Sequence, residues 1–289
     1  VTILIVAEHD FIGAAMAQRF ADRGCQHISY PLAELPEGKA LVSFLSEQQV
    51  TQVINSSLVS LPAAQLPGYL QQGPLLSLLT AVEQLQLPYI QLSSSHVFNS
   101  AEPRRYKVSD LAEPDTELGQ IYRRVESYTR KHVQRYIILR TGALFSERGD
   151  NVLTHLLAQF KQGGDISLSL HGHSAPVYMD DLARVVSGLV DQLGCGTDEW
   201  GVNVWGEYHY NSSDPTTYYH FAESLLAVMA QHINIEQVNL VGVEAPDNSW
   251  QYPLLNCSKI LSAFGIKQMP WRSSVVNVVK RYCKEVVDE

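Results

Sequence analysis

A chain of 289 residues, 45% hydrophobic and 18% charged, is long enough for one large domain or two closely joined ones. Its net charge of −9 and lack of any basic run argue against nucleic acid and anionic membrane as partners. No apolar stretch approaches the roughly 20 residues that cross a bilayer, and four scattered cysteines (Cys25, Cys195, Cys257, Cys283) without a Cys-x-x-Cys predict reduced, mostly buried thiols of a cytoplasmic protein.

In chain order, VTILIVA is too short for a secretory leader with its flanks, so residues 2–7 read as a buried strand. Residues 11–23 carry Ile12, Ala15, Met16, Arg19 and Phe20 along a helix closed by Gly24. A second strand over 26–30, a helix over 38–47 and a third strand over 51–55 follow. After a polar, proline-bearing loop come a helix over 75–87 and a fourth strand over 88–93. Pro114 and the cap-type pair Asp115-Thr116 open the next helix. Its Leu118, Ile121, Tyr122 and Val125 fall at i, i+3, i+4 and i+7, which is one buried face. Residues 135–141 form the strand after it. Repeated β-α-β units with apolar strands imply an α/β fold, a Rossmann-like doubly wound parallel sheet with right-handed crossovers. Residues 1–145, with a return near 176–204, are expected to build this layer. About 146–175 and 206–289 are expected to build a smaller, substrate-side α/β domain, with the cleft at the C-terminal ends of the strands.

SSSHVFNS (93–100) and LGQIYRRVE (118–126) resemble Ser-Thr-Asp-Tyr-Val-Phe-Asp-Gly and Tyr-Gly-x-Ser-Lys-x-x-x-Glu. These are segments of the dTDP-4-dehydrorhamnose reductase (RmlD-like) family of extended short-chain dehydrogenases/reductases. Gly119 and Glu126 set the register. ILRTGALFSERGDNVL (138–153) resembles the family's Arg-Thr-x-x-x-Tyr-Gly…Asn-Phe-Val, and HSAPVYMDDLARVV (173–186) its Gly-x-Pro-Thr-x-x-x-Asp-Leu-Ala. The stretches 200–229, with a helix capped near Asp214-Pro215, and 252–282, with Tyr252 in place of an arginine, continue the frame nearly to the end.

The resemblance implies NAD(P)-dependent reduction of a nucleotide-sugar ketone. In that chemistry a tyrosine, its pKa lowered by a lysine one helical turn on, gives a proton to the developing alkoxide, and a strand-end hydroxyl assists. On this register the hydroxyl falls on Ser94, the tyrosine on Leu118 and the lysine on Tyr122. Leu118 cannot donate a proton. Tyr122 either fills the space the lysine left or substitutes as donor, and no tyrosine of the chain has a lysine four residues later. The same resemblance assigns cofactor contacts to Ala7, Asp10, Phe11, Ile12, Gly13, Tyr30, Asn55, Ser56, Ser57, Ser93 and Thr141, and substrate contacts to His96, Val97, Arg140, Asn151 and Pro176. No metal-binding residues are expected.

Asp10 stands where the family's Gly-x-x-Gly-x-x-Gly has its second glycine, and Glu8 adds another carboxylate. Asp10 either caps the helix or sets a negative charge where a pyrophosphate approaches a helix N-terminus. Both readings disfavour tight binding of NAD or NADP, and Tyr30 is neither the acid nor the base that would choose between the two. His171-x-His173 has no third ligand spaced to make a metal site and reads as a polar loop. The aromatic run 208–221 reads as packing or as lining of a sugar pocket. The cations Arg123, Arg124, Arg130 and Lys131 read as a solvated helix face or as a site for an acidic partner.

Two functions follow. One is a non-catalytic family member that keeps a nucleotide-sugar or dinucleotide cleft as a binding or regulatory site, with a protein partner and with NAD or NADP bound weakly or not at all. The other is a divergent reductase or epimerase of nucleotide sugars that uses Ser94, Tyr122 or His96 in altered roles. The apolar faces of the helices flanking the fourth strand would suit a homodimer.

Overall fold

A computed structural model describes residues 2–7, 10–60, 69, 73–99, 104–194, 203–232, 238–244 and 251–287. The expectations for Glu8 and Cys195 lie outside these residues. Its first half runs β1 (Thr2–Val6), α1 (Phe11–Asp22), β2 (Gln26–Tyr30), α2 (Lys39–Glu47), β3 (Val50–Asn55), a turn α3 (Ser57–Ser60), α4 (Gly73–Gln84), β4 (Tyr89–Ser94), β5 (Arg105–Tyr106), α5 (Glu117–His132) and β6 (Tyr136–Thr141). The second half runs β7 (Leu144–Phe145), α6 (Val152–Gln162), β8 (Gly164–Ser169), β9 (Val177–Tyr178), α7 (Met179–Gly194), β10 (Gly206–Tyr210), α8 (Tyr218–Met229), β11 (Val238–Val243), β12 (Leu254–Leu255), α9 (Ser258–Phe264) and α10 (Arg272–Val287).

Six strands form one sheet in the order β10-β6-β4-β3-β1-β2, and every pair in it is parallel. This is the doubly wound α/β architecture that the alternating strands and helices imply. Strands covered on both faces read as unbroken apolar runs, and the TILIV of β1 is buried from Ile3 to Val6. The order reverses between β1 and β3, so the C-terminal ends of these strands open on a crevice.

β10 corrects one expectation. Residues from 206 onward were assigned to the smaller domain, yet Gly206–Tyr210 pairs with β6 as the sixth strand of the main sheet. WGEYHY hides this because its inward side chains are polar. Their polar atoms are satisfied by Tyr208 OH donating to Val204 O at 2.7 Å and by His209 Nδ1 lying 3.2 Å from Tyr106 O. A second apolar cluster joins α6, α8 and α10, with Phe145, Leu156, Phe160, Phe221, Leu225 and Trp271 buried together. The parallel pair β8–β11 packs beside it. The cap of α8 is Thr217, whose hydroxyl accepts from His220 N at 3.2 Å. This lies two residues beyond the Asp214-Pro215 pair near which the cap is expected, and Asp214 pairs with Arg272.

α5 holds the most consequential position. Thr116 caps it, its hydroxyl accepting from Gly119 N at 3.1 Å. Cations in its last turn, Arg130 and Lys131, complement the helix dipole. Ile121, Tyr122, Val125, Glu126 and Thr129 are buried against the sheet. Gly119 permits the close approach, because a Cβ there would lie 2.0 Å from His96 O. Any larger residue would push the helix off the end of β4.

Candidate functional site

The expected site residues of the sheet gather at the C-terminal ends of adjacent strands. Ala7 follows β1, Tyr30 ends β2, Asn55 ends β3, Ser93 and Ser94 end β4, and Thr141 ends β6. Val6 lies opposite Tyr30 and Asn55 in register, and Ser94 lies opposite Thr141. Ser94 Oγ accepts from His96 N at 3.3 Å and so shapes the turn at the strand end. The neighbouring hydroxyls Ser95 Oγ and Thr141 Oγ1 are buried and have no hydrogen-bond partner among the described residues. Buried polar groups are nearly always paired, so these two mark where a polar ligand group would fit. Val97 is fully buried, and Pro176 is buried just before β9.

Alternation along β6 sends Arg140 to the opposite face from Thr141. Arg140 is 3% exposed and Glu126 is 0% exposed. Arg140 Nε donates to Glu126 Oε1 at 2.8 Å and Nη2 to Oε2 at 2.7 Å, a two-point contact between a strand cation and a helix anion. Ser93 Oγ adds a third bond to Glu126 Oε1 at 2.8 Å. Burial opposes the Arg140 charge, but the hydrogen bonds and charge of Glu126 outweigh it and hold the guanidinium above its usual range. On the other side Arg140 Nη1 lies 3.3 Å from His209 Nε2. An arginine only donates, so His209 accepts at Nε2 and carries its proton on Nδ1, facing Tyr106 O. In this structure Arg140 and Ser93 thus bind α5 to the sheet.

Tyr122 is buried. Burial pushes its hydroxyl well above the usual tyrosine range, and the neighbouring Tyr252 and Tyr69 push it further. The His96 ring packs on Tyr252 with centroids 4.4 Å apart. Burial brings His96 down to about 4, so it is neutral at pH 7. The Tyr69 hydroxyl lies 2.8 Å from Ser57 Oγ and accepts from Asn55 Nδ2 at 3.2 Å. Asn55 also donates to Tyr89 OH at 2.9 Å, and Tyr89 donates to Gln91 Oε1 at 2.7 Å. The segment Asn55–Ser57 is therefore bonded inward, with Ser56 Oγ on Val6 O at 3.3 Å.

The first turn carries a different anion contact. Asp10 is the N-cap of α1, and Asp10 Oδ1 accepts from Gly13 N at 2.9 Å. A helix N-terminus binds phosphate through such free N–H groups, and here one is taken by a carboxylate of the chain itself. Ile12 and Gly13 are buried, and Phe11 is half-buried under the loop 146–150. Asn151 caps α6, its Oδ1 accepting from Leu153 N at 3.1 Å. Tyr30 packs edge-on against Phe44 at 5.5 Å. His171 Nε2 lies 2.6 Å from Glu244 Oε2. Among the described residues, a dinucleotide would meet the hydroxyls of Ser95 and Thr141 at the ends of β4 and β6 and the Asp10 carboxylate at the N-terminus of α1.

Sequence reasoning passed over Glu126 as more than a register mark, and over Tyr69 and Tyr89 altogether. Glu126 left a signal: an acid on the apolar face of a helix needs a buried partner, and Arg140 is the charged residue of the apolar strand that follows.

Two histidines make stability depend on pH. His96 is lowered to about 4 and His209 to about 3, each first by burial, and Arg140 adds to the lowering of His209. The unfolded chain takes up these protons near pH 6.5, and the folded chain only near 4 and 3. Stability is therefore full above about pH 6.5 and is lost progressively as pH falls toward 3, with a slope of up to about two protons. Urea midpoints between pH 7.5 and 4.5 should show this decline, and His209→Gln should flatten it. A midpoint unchanged over that range would rule it out.

A family model described as the RmlD substrate binding domain matches residues 71–284. The dTDP-4-dehydrorhamnose reductase of Aggregatibacter actinomycetemcomitans is 24% identical over 196 residues, and the match spans 65% of this chain and 65% of that relative's length, just under two thirds. A solved dTDP-4-dehydrorhamnose reductase from Clostridium acetobutylicum superposes with a TM-score of 0.81 at 18% identity, covering 97% of this chain and 99% of that one. That of Bacillus anthracis, solved in complex with NADP, superposes with a TM-score of 0.78 at 16% identity, covering 97% and 98%. At these identities the structural likeness speaks for the fold.

Proposed function

The chain belongs to the RmlD substrate binding domain family, within the extended short-chain dehydrogenases/reductases, and on that premise we propose that it is a catalytically impaired member. In this reading it binds a nucleotide sugar in a regulatory role, with NAD or NADP bound weakly or not at all. The observation that carries the reading is Tyr122. Reduction of a ketone delivers an electron pair to carbon and needs a proton at oxygen in the same transition state. The lysine position of the family holds a tyrosine whose hydroxyl burial keeps protonated, the tyrosine position holds Leu118, and the nearby His96 is neutral. A hydroxyl raised in this way is a worse acid than free tyrosine, so the proton relay has no donor. Asp10 on the Gly13 amide supports the same reading at the phosphate end.

The test is calorimetric titration with NADH and NADPH up to millimolar concentration, with a spectrophotometric assay of NAD(P)H oxidation in the presence of dTDP-4-dehydrorhamnose. We expect dissociation constants weaker than about 10 µM and no turnover. A divergent reductase or epimerase is the second reading, favoured by Ser94 and by the unpaired hydroxyls Ser95 and Thr141. NAD(P)H oxidation that disappears in both Ser94→Ala and Tyr122→Phe would establish it and overturn the first.

A further inference from the structure

The loop 146–150, between β7 and α6, rests on the start of α1. Gly149 has φ +75°, and a Cβ at that position would lie 2.7 Å from the Phe11 ring. The backbone of the loop therefore sits directly on the side chain that follows the helix cap Asp10. Within the loop, Asn151 Nδ2 donates to Arg148 O at 2.9 Å and Thr154 Oγ1 to Gly149 O at 2.8 Å, which ties its far end to α6.

Its near end is tied elsewhere. From α10, Arg281 Nη1 donates to Glu147 Oε1 at 3.2 Å, to Tyr178 OH at 2.8 Å and to Asp180 Oδ2 at 2.7 Å. The Tyr178 hydroxyl lies 3.0 Å from both Glu147 Oε2 and Asp180 Oδ2. One guanidinium nitrogen thus joins the loop, β9, the start of α7 and the C-terminal helix. The nitrogen brings two hydrogens and the hydroxyl one, three hydrogens for these five contacts. The contacts therefore share hydrogens as bifurcated bonds, each weaker than a bond with a hydrogen of its own, so this cluster is easier to open than a fully satisfied one. The Arg281 side chain is 53% exposed, which leaves the tie within reach of salt. A cavity of about 450 Å3 beside it is lined by Phe11, Arg19, Glu147, Asp180 and Arg281 among others, so the loop has space to move into.

We propose that Arg281 is a latch: from the C-terminal helix it holds the loop 146–150 over the N-terminus of α1, and its release uncovers the end of the crevice where a ligand's phosphates would approach. That consequence rests on the binding role proposed above, but the latch itself does not. In Arg281→Gln, hydrogen–deuterium exchange without any ligand should quicken about three- to tenfold over residues 146–151 and at the first turn of α1. Exchange in β4 and β6 should not change. Wild-type protein in 1 M salt should shift the same segments in the same direction, a result that does not depend on the variant folding. Arg281→Lys should fall between the two. Unchanged exchange in the loop, both in Arg281→Gln and in high salt, would overturn the latch while leaving the calorimetric test of ligand binding untouched. Faster exchange throughout the chain would assign Arg281 to overall stability and overturn it equally.

Discussion

Arg140→Met is expected to destabilise the fold by about 3–5 kcal/mol, the range for removing one partner of a buried ion pair. The substitution leaves the Glu126 carboxylate at 0% exposure without its two strongest bonds. What remains is the Ser93 hydroxyl and Arg130 at 3.4 Å, the latter with a side chain one-third exposed, which places the result toward the lower end. The double variant Arg140→Met with Glu126→Leu should recover most of the loss, because two apolar residues of similar volume need no partner in that space. Urea denaturation of the wild type, both single variants and the double variant at pH 7.5 forms the cycle. If Arg140→Met cost less than about 1 kcal/mol, or if the double variant were no better than the single one, the pair would not be the bond between α5 and the sheet. The cycle also bears on the assignment of Arg140 to a substrate, since a ligand-binding arginine would lower binding with little change in the urea midpoint.

Asp10→Gly is expected to raise affinity for NADH and NADPH by about ten- to hundredfold. A carboxylate about 5 Å from a pyrophosphate charge costs on the order of 3 kcal/mol at the effective dielectric of a protein surface, and salt screening lowers this. Removing it also frees the Gly13 N–H for a phosphate oxygen. The helix should tolerate the change, since glycine in place of aspartate at an N-cap costs only a few tenths of a kcal/mol. The cap backbone is extended at φ −131°, ψ −179°, which glycine adopts freely. Asp10→Asn separates the contributions, for it keeps the cap and removes the charge. Calorimetry on the three proteins is the measurement. If glycine binds no better than aspartate, the Asp10 carboxylate does not limit dinucleotide affinity at the first turn.

The sheet was legible because strands buried on both faces have apolar runs, and helices between them have a buried face every three to four residues. β1, β3, β4 and β6 follow this rule, and the strand ends expected to carry the site do lie side by side. The resemblance places a strand within 200–229, but the place of β10 in the main sheet escaped, because His209 and Tyr210 bury polar rings whose partners Tyr106 and Asp181 are remote in the chain. The same limit hid the partners of Asn55. Tyr69 lies in a stretch with no periodic signal, and only the folded chain brings it beside Asn55 and Ser57.

What the sequence determined by itself was chemical identity at fixed positions. Leu118 has no proton to give, Asp10 follows the first strand, and no tyrosine has a lysine four residues later. These statements need only spacing along one helix or one turn, where local geometry is set by the backbone. Tertiary structure alone decided what each group faces. It turned Arg140 onto Glu126, closed Asn55 into a network with Tyr69 and Tyr89, and laid the loop 146–150 on Phe11 under the hold of Arg281. Hydrogen bonds and charges act over a few ångströms of space, and the hydrogen-bonded partners among these stand from 14 to 134 positions apart in the chain.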